Sequence, residues 1–66
     1  MELYLNGELG RFDDGISISG LTLALGLAGQ RFAVEVNRCI VPKSLHAGHV
    51  LLPGDRVEII QAIGGG

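Results

Sequence analysis

The strand predicted over residues 56–63 constrains the fold of this chain more than any other segment. One of its faces carries Val57 and Ile59, and the opposite face carries Ile60 and Ala62. A strand with apolar side chains on both faces suits the centre of a sheet. A chain of 66 residues must therefore place neighbouring strands on both sides of it within one small domain.

The first fifteen residues predict a β-hairpin. Leu3 and Leu5 alternate with polar or amphipathic neighbours, which is the period-two pattern of a half-buried strand. Asn6-Gly7 then indicates a tight turn, because both residue types tolerate positive φ. Residues 9–12 return as a second strand, which ends at 13–15.

Between Ser17 and Gly29 the pattern predicts one short amphipathic helix of two to three turns lying across the sheet. Ser17 or Ser19 is the candidate N-cap, and Gly29 is the candidate C-terminal glycine cap. Because Gly20 and Gly26 lower the helix propensity, packing must hold this helix in place. Its predicted apolar positions are Leu21, Leu25 and Ala28.

Three further segments complete the chain. Residues 32–37 predict a third strand, and residues 39–41 a short fourth strand that Pro42 ends. Residues 43–49 are polar and irregular, and Pro53-Gly54-Asp55 is a turn that begins the last strand.

The element order ββαββ leaves a vacant slot beside the first strand, which the last strand fills in parallel. This order predicts an α+β, β-grasp (ubiquitin-like) fold: a mixed sheet of four to five strands with one main helix packed across it. We expect residues 1–63 to form the domain and residues 64–66 a glycine tail.

The three terminal glycines suggest a reactive chain end. Glycine has no side chain to pack, so the tail is expected to be disordered in the free protein. When extended, three residues reach roughly 10 Å and can enter a narrow slot. They would deliver the Gly66 carboxylate, a poor electrophile until it is activated, for example as an acyl-adenylate. The alternative is an inert frayed end.

Composition excludes several classes of protein. Five basic and seven acidic residues give a net charge of −2, which argues against nucleic-acid binding. One cysteine permits neither an intramolecular disulfide nor a four-thiolate metal site. No segment approaches the roughly 20 apolar residues of a membrane span. The first residues also lack the pattern of a signal peptide. We therefore expect a cytoplasmic protein with no membrane partner.

Other candidate site residues favour structural roles. Cys39 lies beside a turn, with Arg38 as its basic neighbour in sequence, and an ordinary strand cysteine is the better interpretation. His46 and His49 have i, i+3 spacing but would need further ligands to hold zinc. The sequence thus predicts no catalytic residue and no metal site.

A partner-docking surface is predicted on the sheet face that borders the last strand. Ile60, Ala62 and Ile63 are the candidate contacts, with Ile63 as the hinge into the tail. The alternative is that all three are plain core or edge residues, and the sequence does not separate the two.

The chain resembles the ThiS family, the sulfur carrier proteins of thiamine biosynthesis. Each shared motif is weak alone, but their order and spacing in so short a chain are specific. They are Leu5-Asn6-Gly7, Leu25-Gly26-Leu27, residues 33–37, Ile40-Val41-Pro42, Ser44, His46-Ala47, Gly54-Asp55, Glu58-Ile59 and residues 62–66. Arg38-Cys39, Leu45, Gly20 and Thr22 depart from the family pattern.

The resemblance implies a cycle in which this chain is a co-substrate and not an enzyme. An E1-like adenylating enzyme would use ATP and magnesium to adenylate Gly66, with Gly64 and Gly65 as the arm. A cysteine desulfurase or related donor would supply sulfur that replaces AMP and yields a thiocarboxylate. Thiazole synthase would then take that sulfur. The resemblance implies no bound cofactor.

Three other functions remain open at this stage. The small subunit of molybdopterin synthase is also a β-grasp carrier with a terminal Gly-Gly, but it is usually longer, with proline before the tail. A non-catalytic β-grasp interaction module would recruit partners through its sheet. A protein-conjugation tag would link Gly66 to lysine.

Overall fold

The computed structural model describes residues 1–61. The strands are β1 (Glu2–Leu5), β2 (Glu8–Arg11), β3 (Phe32–Val36), β4 (Cys39–Val41) and β5 (Arg56–Gln61). The helix α1 spans Ile18–Ala24, and a 3-10 turn spans Lys43–Leu45. Ala62, Ile63 and the glycines 64–66 lie outside the described residues, as does the predicted boundary after residue 63.

The sheet has the order β2-β1-β5-β3-β4. The strands β1 and β5 are parallel, and all other pairs are antiparallel. This confirms the predicted mixed sheet, with the last strand at its centre and parallel to the first. The second strand begins at Glu8 and not at residue 9, because Glu8 pairs with Leu5 across a two-residue turn.

Both hairpins close through residues with positive φ. Asn6 and Gly7 have φ of 50° and 84°, and Asn37 and Arg38 have φ of 51° and 69°. Turns of this handedness match the right-handed twist of the strands they join. The two asparagines therefore lie on either flank of β5, because β1 and β3 are its neighbours.

The helix α1 ends earlier than the predicted cap at Gly29. Ser17 is its N-cap, and the Ser17 hydroxyl oxygen accepts the Gly20 N–H at 3.0 Å. The predicted cap at Gly29 is wrong, because Gly26 already adopts φ of 75°. The N–H groups of Gly26 and Leu27 donate to the carbonyls of Leu23 and Thr22 at 3.0 and 2.9 Å. This paired arrangement satisfies the last helical carbonyls and ends the helix.

The early end of the helix changes which residues it buries. Ile18, Leu21 and Thr22 are buried, whereas the predicted apolar positions Leu25 and Ala28 are exposed and lie beyond the helix. The core between α1 and the sheet consists of Leu3, Ile18, Leu21, Val34, Val36, Val41, Leu51 and Val57. Among residues 1–61, no helix is long and apolar enough to cross a membrane.

Candidate functional site

The face of the sheet turned away from α1, called the open face here, carries exposed apolar side chains. Leu9 and Tyr4 lie directly opposite each other on β2 and β1, and Ala33 lies opposite Ile60 on β3 and β5. Ile60 retains 54% exposure and Ile40, on β4, retains 70%. A protein that bound this face of the sheet would contact these apolar side chains.

Of the three predicted docking residues, the structure describes Ile60. It lies on the open face, one residue before the end of β5, so it is not a core residue. Ala62 and Ile63 fall outside the described residues, and the docking role of all three stays a prediction. The sequence analysis did not select Leu9 or Ile40, although the hairpin registers place both on the same face.

Charged residues divide the open face. Glu35 and Glu58 lie directly opposite each other on β3 and β5. The Arg56 guanidinium lies over the Tyr4 ring, 5.3 Å from its centroid. Like charges in directly opposed positions repel, whereas a cation over an aromatic face is attracted to it. The open face therefore presents an acidic centre next to a basic, aromatic corner.

The end of β5, defined as residues 59–61, is held differently on its two flanks. On one flank it pairs with β3 as far as Gln61, which is opposite Phe32. On the other flank the Ile59 N–H donates to the Asn6 side-chain oxygen at 2.8 Å. The Gln61 side chain also donates to the Gln30 side-chain oxygen at 2.6 Å. The strand that leads toward the glycines is thus anchored up to its last described residue.

The other candidate residues form no shared site with this strand end among residues 1–61. Cys39 is exposed at the start of β4. His46 is buried and its Nε2 lies 2.8 Å from the Val41 carbonyl oxygen, whereas His49 is half-buried. Within residues 1–61, no three His, Cys, Asp or Glu side chains lie close enough to hold a metal ion. The His46 ring is therefore engaged in packing within the fold.

Comparison with known sequences identifies a family. The ThiS family profile matches residues 3–66. Over all 66 residues the chain is 36% identical to a thiazole synthase of Magnetococcus marinus. It is 41% identical over 66 residues to a thiazole synthase of Paramagnetospirillum magneticum. The chain spans about a fifth of the length of these two relatives, 20% in each case.

Comparison with solved structures identifies the fold. A crystal structure of the thiamine biosynthesis protein ThiS from Geobacter metallireducens matches with a TM-score of 0.85 and 28% identity. The match covers 100% of both chains. The predicted ubiquitin-like β-grasp fold is thereby confirmed.

Proposed function

This chain belongs to the ThiS family of sulfur carriers of thiamine biosynthesis, and we propose that its Gly66 carboxylate is the group that carries the sulfur. In this proposal Gly66 is adenylated and then converted to a thiocarboxylate, which donates sulfur for thiazole formation. Gly64 and Gly65 form the arm that enters the active sites of the partners. The chain itself acts as a co-substrate and not as a catalyst.

The observation that carries the proposal is the family match, which extends through the terminal glycines to residue 66. Glycines are suited to this role because a chain without side chains can enter a slot that excludes other residues. In the structure, the central strand β5 is anchored at Ile59 on one flank and as far as Gln61 on the other, three residues before Gly64 in the sequence. A hydrogen-bonded strand that leads to terminal glycines is suited to delivering a carboxylate.

In this proposal, Gly66 is adenylated and loaded with sulfur in three steps. The carboxylate oxygen attacks the α-phosphorus of ATP, and pyrophosphate leaves. The outer sulfur of a persulfide then attacks the acyl carbon, and AMP leaves. A thiol then attacks the donor-side sulfur of the resulting acyl disulfide, which breaks the S–S bond, releases the thiocarboxylate and leaves a disulfide between the thiol and the donor. ATP and magnesium belong to the adenylating enzyme, so the carrier needs no bound cofactor of its own.

We propose the three partners that the family resemblance implies: an E1-like adenylating enzyme, a cysteine desulfurase or related donor, and thiazole synthase. Support for thiazole synthase comes from two proteins of that name, each of which contains a segment similar to this whole chain. In this proposal the protein acts in the cytoplasm. The proposed contact surface is the open face, where Ile60 lies near the end of β5.

The test is an intact-mass measurement of the 66-residue chain after incubation with ATP, a sulfur source and the adenylating enzyme. The expected result is a mass gain equal to one oxygen replaced by sulfur. A variant that lacks Gly66 should fold equally well and gain nothing. An unchanged wild-type mass, with an enzyme that modifies another carrier in parallel, would reject the proposal. Binding without modification would instead support a β-grasp interaction module.

A further inference from the structure

We propose that Asn6 is a positioning residue for sulfur transfer, because its side chain fixes the end of β5 from which the chain continues toward Gly66. This role rests on the proposed function. Asn6 belongs to the first hairpin turn and is separated from Ile59 by 53 positions in sequence. Its contact with β5 therefore exists only in the folded protein.

The Asn6 side chain extends the pairing of β5 beyond the point where β1 ends. The strands β1 and β5 pair through Tyr4–Arg56 and Leu5–Val57. The Asn6 N–H then donates to the Val57 carbonyl at 2.9 Å. The next N–H on this flank of β5, that of Ile59, donates to the Asn6 Oδ1 atom at 2.8 Å. The side-chain amide thus takes the place of the backbone carbonyl that a longer β1 would supply.

Two requirements explain why position 6 is an asparagine. The backbone of Asn6 has φ of 50°, a conformation that asparagine, aspartate and glycine adopt more easily than other residues. The position also needs an acceptor on a short side chain, which glycine lacks. Asn6→Gly therefore removes the hydrogen bond to Ile59 while it preserves the turn, and Asn6→Asp retains both.

The second hairpin provides a matched control. Asn37 has φ of 51°, and its Oδ1 atom accepts the Arg56 N–H at 3.0 Å. Its Nδ2 atom also donates to Asp55 at 3.0 Å. Asn37 thus holds the beginning of the same strand, and Asn37→Gly removes more hydrogen bonds than Asn6→Gly. A simple loss of stability would therefore make Asn37→Gly the more harmful change.

Loss of the Asn6 hydrogen bond should slow sulfur transfer, because the chain continues from the end of β5 to Gly66. Without the Asn6 oxygen, the Ile59 N–H turns to water and the end of β5 loses its anchor on the β1 flank. The carboxylate then reaches the reacting position less often, because small losses of orientation lower the rate of the chemical step. We expect kcat for adenylation to fall about fivefold in Asn6→Gly, the equivalent of one ordinary hydrogen bond.

The experiment compares wild type, Asn6→Gly, Asn6→Asp and Asn37→Gly, each as the 66-residue chain. It measures kcat and KM for ATP-dependent adenylation, and amide hydrogen exchange at Ile59. The proposal expects a lower kcat and faster Ile59 exchange in Asn6→Gly alone, with Asn6→Asp restored. Equal kcat in Asn6→Gly and wild type, or equal losses in the two glycine variants, would overturn it. A wild type that is never adenylated would overturn the proposed function instead, whatever the Ile59 exchange shows.

Discussion

The ring of His46 stacks on the ring of Phe32, with centroids 6.1 Å apart and planes inclined by 14°. Because the Val41 carbonyl oxygen can only accept a hydrogen bond, the His46 Nε2 atom beside it carries the proton. One imidazole thus connects the segment after the 3-10 turn to β3 and β4. His46, which the sequence offered as a metal-ligand candidate, has a packing role.

We predict that His46→Ala lowers the free energy of unfolding by about 1–3 kcal/mol, because it removes a buried hydrogen bond and the stacking on Phe32. Urea unfolding followed by circular dichroism measures the loss. The control is His49→Ala, at a half-buried position in the same segment, which should cost less than half as much. Equal losses in the two variants would contradict the assigned role of His46.

Ile60 should contribute to partner binding without contributing to folding. Ile60→Gln is expected to weaken binding to the adenylating enzyme about tenfold, since an isoleucine fully covered by a partner is worth about 1.5–3 kcal/mol. Titration calorimetry measures the affinity. Leu23→Gln is the matched control, because Leu23 is 66% exposed on α1, on the other side of the sheet. If both substitutions weaken binding alike, the open face is not the specific contact surface.

Gly26 should be the glycine that the helix end requires. Its φ of 75° lies in the left-handed region, so Gly26→Ala is expected to cost about 1–2 kcal/mol of stability. Gly48→Ala is the comparison, because Gly48 has an ordinary φ and open space where the alanine methyl group would lie. Thermal unfolding of both variants measures the two losses of stability. A Gly26→Ala variant as stable as wild type would contradict the role of Gly26 at the helix end.

The opposed carboxylates of Glu35 and Glu58 should make the sheet less stable than it could be. Glu58→Lys replaces repulsion with attraction and is expected to raise the unfolding free energy by about 0.2–1 kcal/mol at low salt. The gain should shrink as salt is added, because exposed charges are screened. Glu8→Lys is the control, since Glu8 lies opposite Leu5. Thermal midpoints at two salt concentrations measure the effect, and a salt-independent gain would require another explanation.

Local patterns were sufficient to predict much of the fold. The alternation in β1 and the Asn6-Gly7 turn depend on neighbours within a few residues, so the sequence indicates them directly, and it narrowed the helix cap to Ser17 or Ser19. The apolar faces of β5 likewise predicted its central place in the sheet. The family resemblance supplied the proposed role of Gly66, which no described contact tests.

The candidate site was less predictable because its residues lie far apart in sequence. Ile60 was selected from its strand pattern, and the structure places it on the open face. Leu9 and Ile40 were not selected, since their place on the same face of the sheet depends on strand registers. The link from Asn6 to Ile59 was also missed, because a turn signal says nothing about where its side chain points.

The sequence by itself determined which segments become strands and helix, where the first hairpin turns and which strand occupies the centre. Only the tertiary structure decided that Gly26 and not Gly29 ends the helix: both have positive φ, 75° and 81°, but the N–H groups that close the helix end are those of Gly26 and Leu27. It also decided the burial of Leu51 and His46 and the contact of Asn6 with β5. Short-range conformational preferences are encoded locally, whereas burial and long-range hydrogen bonds exist only after distant segments have packed together.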